Sequence, residues 1–181
     1  MKIRIFAALI FLAAAMAFQS CEDSDLLDVN ETFTYEHEMT VFTTDTTYME
    51  IDTVDLAAQS SIIDQYGDKI KNIEIQEVKY WLTAFTGDDD QEIIEASLKV
   101  AAPDGSGEEL ISGIEDVVLA TLLNNETDLP INQTGLDRME ALIKDPPHRF
   151  RLNYNTSANK GPLNFTVKFR FKIKMTANPL N

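Results

Sequence analysis

Residues 163–175 read Leu-Asn-Phe-Thr-Val-Lys-Phe-Arg-Phe-Lys-Ile-Lys-Met, and this stretch decides the fold class. Its odd positions, Leu163, Phe165, Val167, Phe169, Phe171, Ile173 and Met175, are all apolar. Its even positions are Asn164, Thr166, Lys168, Arg170, Lys172 and Lys174. Side chains of a strand leave on opposite faces in turn, so the pattern puts one face in a core and the other in water. That division is typical of antiparallel sheets.

The same period recurs upstream. Arg149 to Tyr154 turns Phe150, Leu152 and Tyr154 one way, and residues 155–162 read as a loop into the last strand. Near the other end, from Thr32, Phe33, Tyr35, His37, Met39 and Val41 alternate with Thr34, Glu36, Glu38 and Thr40. Thr43 to Thr47 is a turn, and Tyr48 to Val54 a second strand with Met49 and Ile51 expected inward. Asn72 to Ala84 reads as one long strand whose inward set changes phase near Glu77, as a β-bulge would make it. Gly87-Asp88-Asp89-Asp90 turns the chain into a return strand with Ile94, Ala96, Leu98 and Val100 inward. Pro103-Asp104-Gly105-Ser106-Gly107 is a further turn signal.

Two segments read as helical. Ser60 to Tyr66 places Ile62, Ile63 and Tyr66 on one face. Thr134 to Asp145 has Leu136, Met139, Leu142 and Ile143 as its apolar stripe, Thr134 as its expected cap and Pro146-Pro147 as its stop. Ser112 to Leu123 fits two readings: a helix opened by Ser112 and Glu115, or a buried strand from about Asp116. The strand is the expectation carried forward. The sum is a mainly β chain: an immunoglobulin-like antiparallel β-sandwich of about seven or eight strands with one or two short helical insertions. The chain has one cysteine and one tryptophan, so the Cys–Trp–Cys hallmark of antibody domains is absent and the expectation covers architecture alone.

Residues 1–20 differ in kind. Met1-Lys2-Ile3-Arg4 is cationic, Ile5 to Phe18 is apolar, Gln19-Ser20 leads to Cys21, and Glu22, Asp23 and Asp25 follow. The apolar run is shorter than the ~20 residues that cross a bilayer. Plain secretion would leave a cysteine with no internal partner. The segment resembles the signal peptide and lipobox of bacterial lipoproteins, with Ser20 before the cysteine as the closest match. That resemblance implies removal of residues 1–20, a lipid on Cys21, an acidic tether over 21–31 and a single domain over 32–181. The acids after Cys21 resemble the export signal of Bacteroidota surface lipoproteins. They imply an outer-membrane protein, lipid-anchored and facing the cell exterior. Asp45-Thr46-Thr47 and Asp52-Thr53-Val54 resemble the three-residue O-glycosylation motif of the same bacteria, which makes Thr46 and Thr53 candidate acceptors.

The full chain carries 15 basic and 30 acidic residues. Without residues 1–20 the balance is 13 against 30, a formal charge of −17, which argues against nucleic acid as a partner. All the acids precede Pro146; Arg149, Arg151, Lys160, Lys168, Arg170, Lys172 and Lys174 follow it without one. Lys168, Arg170, Lys172 and Lys174, joined by Arg149 and Arg151, form either an anion or partner surface or a ladder paired with acids such as Glu36 and Glu38 across the sheet. Asp88, Asp89 and Asp90 are a calcium candidate lacking EF-hand spacing. Trp81 either stacks outward on a sugar or is turned into the core by the bulge. His37 reads as a core or rim residue and His148 as a surface one. No zinc, nucleophile-elbow, phosphate-loop or dinucleotide motif occurs, and no cofactor is implied. Two functions remain open: a non-catalytic envelope lipoprotein, an accessory or binding module at the outer membrane whose ligand the sequence does not identify and whose candidate partners are a protein or glycan at the cell surface, or an envelope hydrolase of carbohydrate or peptide using carboxylates.

Overall fold

The computed structural model describes residues 28–180; Cys21 and most of the expected tether lie outside them. Eight strands form two four-stranded antiparallel sheets, the expected β-sandwich. They are β1 (Val29–Thr43), β2 (Thr47–Asp55), β3 (Ile70–Phe85), β4 (Glu92–Ala101), β5 (Glu109–Val118), β6 (Thr127–Asp128), β7 (Arg149–Ala158) and β8 (Leu163–Ala177). One sheet runs β1-β8-β3-β6 and the other β2-β7-β4-β5. Strand pairs 1–8, 2–7, 3–6 and 4–5 all occur. The chain is therefore one long ribbon doubled back on itself, its rungs falling alternately into the two sheets. The additional pairs β3–β8 and β4–β7 close each sheet. This is jelly-roll wiring within the sandwich.

The core lies between the sheets. β8 contributes Leu163, Phe165, Val167, Phe169, Phe171, Ile173 and Met175, all buried, as the alternation requires. Tyr35 of β1 stacks on Phe171 at 5.9 Å and meets the edge of Phe150 of β7 at 6.2 Å. β3 shifts register between Ile75 and Glu77, at the expected bulge, and again between Leu82 and Ala84.

Several local expectations need correction. β1 begins at Val29, inside the expected tether, and Asp28 pairs with Lys71 at 3.0 Å. Met49 and Ile51 point outward, not inward: β7 sets Glu50, Asp52 and Val54 opposite its core residues Tyr154, Leu152 and Phe150, which fixes the phase of β2. A register shift between Ile93 and Glu95 gives Ile93 the core position expected for Ile94, which is exposed. The strand expected from Asp116 instead ends at Val118, and Leu119–Leu122 forms one turn of helix. Asn155 to Ala158 continue β7 rather than starting a loop.

Helices fill the connections. Leu56–Gln59 (α1), capped by Asp55, and Ser61–Tyr66 (α2), capped by Ser60, link β2 to β3. Leu119–Leu122 (α3) follows β5. Gln133–Lys144 (α4) is capped by Asn132, whose side chain accepts from Thr134 N; Thr134 lies inside the helix. Leu136, Met139 and Ile143 are its buried stripe. Glu140 accepts a 2.7 Å bond from Ile75 N, supplying a partner for a backbone amide beside the β3 bulge.

Candidate functional site

The cationic ladder lies on the outer face of the β1-β8-β3-β6 sheet, and its members are mostly matched. Lys168 stands 3.4 Å from Glu36 and 3.5 Å from Glu38. Arg170 bonds Glu36 at 2.8 Å and Glu126 at 2.7 Å, and Lys174 is 3.9 Å from Glu74. Lys172 is exposed. Arg149 and Arg151 do not join them: β7 belongs to the other sheet, where Arg149 Nε bonds Asp55 at 2.7 Å. Trp81 fits neither expectation. It pairs with Lys168 on the outer face, yet is buried because Arg170 and Lys168 lie 4.6 and 5.9 Å from its ring. Cations over an indole face are attracted by its quadrupole. The hydrogen bonds from Arg170 and Lys168 hold the Glu36 carboxyl below its ordinary range.

The acidic turn is likewise occupied by protein. Lys160 of the β7–β8 turn reaches Asp88 at 3.1 Å and also bonds Asp90. Among the described residues no group of three or more His, Cys, Asp or Glu side chains is arranged to hold a metal ion. Thr46 is exposed in the β1–β2 turn, and Thr53 is exposed on β2. His148 is buried rather than at the surface: a left-handed backbone, φ 58°, turns it inward and its Nδ1 meets Ile143 O at 2.8 Å. His37 is buried against the edge strand β2, with Nδ1 3.0 Å from Tyr35 Oη and Nε2 3.6 Å from Asp52.

The outer face of the β2-β7-β4-β5 sheet is different. Met49, Asn155, Ser97 and Gly113 stand in one row across its four strands. Met49 stands at one end of that row, and Asn155, Ser97 and Gly113 continue it as the floor of a furrow. Thr47, Ser157, Glu95 and Glu115 form the next row on one side. Ile51, Asn153, Lys99 and Leu110 form the row on the other. Two adjoining concavities of about 360 and 590 Å³ share Glu95, Ser97 and Asn155. Met49 and Ile51 are 64% and 45% exposed at the β2 end, a large apolar surface for an edge strand to leave in water.

Gly113 is the informative member of the floor. A glycine within a strand weakens it and marks a bulge, a bend or a close approach by something else. A Cβ placed on Gly113 would meet nothing nearer than Ala96 O at 4.0 Å, and its φ lies outside the left-handed region. Packing does not demand this glycine; its missing side chain deepens the furrow. None of the furrow residues was singled out by sequence for this role. The furrow floor is built of Ser, Asn and Gly drawn from three strands, with Met49 of a fourth at its end.

No family model matches the chain, and no curated protein matches it. Among solved structures, a chain from Desmodium yellow mottle tymovirus is similar at TM-score 0.40 and 14% identity, covering 90% of this chain and 96% of that one. A chain from turnip yellow mosaic virus is similar at TM-score 0.41 and 11% identity, covering 84% and 96%. One from tobacco necrosis virus gives TM-score 0.35 and 8% identity, covering 84% and 98%.

Proposed function

We propose that this protein is a non-catalytic binding module of the cell envelope, held at the outer membrane by a lipid on Cys21 and binding an extended surface glycan in the furrow of the β2-β7-β4-β5 sheet. The observation that carries the reading is the floor of that furrow. Ser97 and Asn155 offer a hydroxyl and an amide side by side, and Gly113 leaves space that its own fold does not require. Hydroxyl and amide groups can both donate and accept, which suits a chain of sugar hydroxyls. The exposed Met49 and Ile51 offer apolar contact for ring C–H faces.

The cationic face supports the same assignment by elimination. Lys168, Arg170 and Lys174 are matched by the sheet's own acids, so an anionic ligand would have to displace Glu36, Glu38, Glu74 and Glu126. The anchor rests on the sequence of residues 1–25 and the lone cysteine.

Two measurements test the reading. Native protein should enter the detergent phase of a phase split and carry an acyl mass on Cys21; an unacylated, water-partitioning protein ends the anchor. In an NMR titration with envelope polysaccharide fragments, the amides of Ser97, Gly113 and Asn155 should shift. Shifts confined to the Lys168–Lys174 face would overturn the furrow.

A further inference from the structure

We propose that His37 is a proton-operated latch on the edge strand β2: when the imidazole takes up a second proton, β2 is released from the sandwich edge. β1 and β2 belong to different sheets and are brought together by the turn at 44–46. Their inner positions meet at the open side of the sandwich. There β1 contributes Tyr35 and His37, and β2 contributes Tyr48, Glu50 and Asp52.

The hydrogen-bonding arrangement suits only the neutral ring. Burial keeps the Tyr35 hydroxyl protonated, since its pKa is pushed well above the ordinary tyrosine value. The hydroxyl can therefore donate to Nδ1 across 3.0 Å. Nε2 then carries the ring proton and has no hydrogen-bond partner, the Asp52 carboxylate standing off at 3.6 Å. A second proton must go to Nδ1. It reverses the bond to Tyr35, whose own O–H then loses its acceptor, and it places a full charge on a side chain that is 9% exposed.

The titratable groups facing His37 are Tyr35 on its own strand and Asp52 and Glu50 on β2, where the Tyr48 hydroxyl donates to Glu50 at 2.9 Å. From β8 the facing residue is Phe169. Glu36, Glu38 and Lys168 lie on the opposite face of the sheet. Burial pulls the imidazole pKa down, and the two carboxylates only partly restore it. In any state where β2 has lifted and the ring is hydrated, the imidazole returns to its ordinary range near 6.5. Acid therefore favours the lifted state. β2 supplies Met49 at one end of the furrow, so its release would dismantle that end of the proposed binding site. That consequence rests on the furrow reading; the latch itself does not.

The test uses no ligand, so its failure is distinguishable from a failure of the binding reading. Amide exchange of the full chain is followed at pH 7.5 and pH 5.0, each rate normalised to its unstructured value. Protection over residues 47–55 should fall by at least ~5-fold at pH 5.0 while β8 keeps its protection, as local opening requires. His37→Gln should abolish the drop. Asp52→Asn removes a carboxylate that favours the imidazolium in the closed state, so it should deepen the drop at pH 5.0. Unchanged β2 protection in the parent chain overturns the latch. So does an undiminished drop in His37→Gln, or, should that variant not fold, a drop in Asp52→Asn no deeper than the parent's.

Discussion

Two glycines, Gly113 and Gly135, should respond in opposite ways to the same added methyl group. A Cβ on Gly135 would lie 2.6 Å from Ile111 N and nearer still to the Leu110 carbonyl. Real Cβ contacts stay beyond about 3 Å, so in Gly135→Ala the first turn of α4 must withdraw from β5 by roughly 1 Å. That stretches the 2.8 Å bond from Asn132 N to Ile111 O and threatens the 2.7 Å bond between Glu140 and Ile75. Overpacking costs about 1–3 kcal/mol and each lost bond about 1 kcal/mol, while alanine returns about 1 kcal/mol of helix propensity. The net is a loss of about 1–4 kcal/mol, or roughly 3–12 °C in melting temperature for a domain of this size. Gly113→Ala meets only ordinary contact and should gain about 0.5 kcal/mol by stiffening β5. Gly113→Tyr should fold with at most a small change in melting temperature and fill the furrow, abolishing the glycan binding proposed for it. Thermal melts by circular dichroism, with the polysaccharide titration repeated on Gly113→Tyr, decide the matter. Should Gly135→Ala melt within 1 °C of the parent while Gly113→Ala falls by several degrees, the assignment of which glycine the fold requires is wrong. Should Gly113→Tyr bind as the parent does, the furrow is not the site.

Two further predictions concern charge. Burial raises the Glu140 carboxyl above its ordinary value, against the lowering effect of the bond from Ile75 N. A carboxyl raised in the folded state stabilises below its unfolded pKa and loses that contribution as pH rises through the folded one. Glu140→Gln keeps an acceptor for Ile75 and should gain stability over the parent between pH 4 and pH 7, by about 0.5 kcal/mol. Glu140→Ala should lose about 1–2 kcal/mol by orphaning that amide; urea melts at both pH values separate the cases. Arg170→Gln removes two carboxylate bonds and the cover over Trp81, and should cost about 1–2 kcal/mol with a red-shifted tryptophan emission. The Glu36 carboxyl is lowered, so this ladder contributes above its unfolded pKa and fades as acid protonates it. An unshifted emission maximum would mean that Trp81 owes its burial to something else.

The sandwich was legible because β8 is strict. Thirteen residues alternate without a slip, and its neighbours β1 and β3 repeat the period on either side. The inward phase of β2 was not legible, because an edge strand leaves Met49 and Ile51 in water on the outer face and turns Glu50 and a still exposed Asp52 to the inner one. Only the register against β7 reveals this. The exposure of Ile94 depends on a register shift that leaves no mark beyond two adjacent isoleucines. His148 follows two prolines and looks exposed, and only its backbone conformation buries it. The cations of β8 were visible as a group, and their pairing with Glu36 and Glu38 follows from the β1–β8 register. The furrow escaped notice for a different reason. Residues 49, 97, 113 and 155 are ordinary singly and gain meaning only when four strands lie side by side.

The doubled ribbon also governs how this chain can acquire its shape. Val29 finds its partner in Ala177, so neither margin of the central strand β8 is complete until the chain has been made as far as residue 177. Contacts so remote in sequence make for slow assembly, on the millisecond-to-second scale or longer for β proteins. During synthesis, β1 must wait unpaired for β8 to appear. Its fifteen residues, apolar at every second place from Phe33 to Val41 but for His37, are the segment most in need of a holding chaperone on the way.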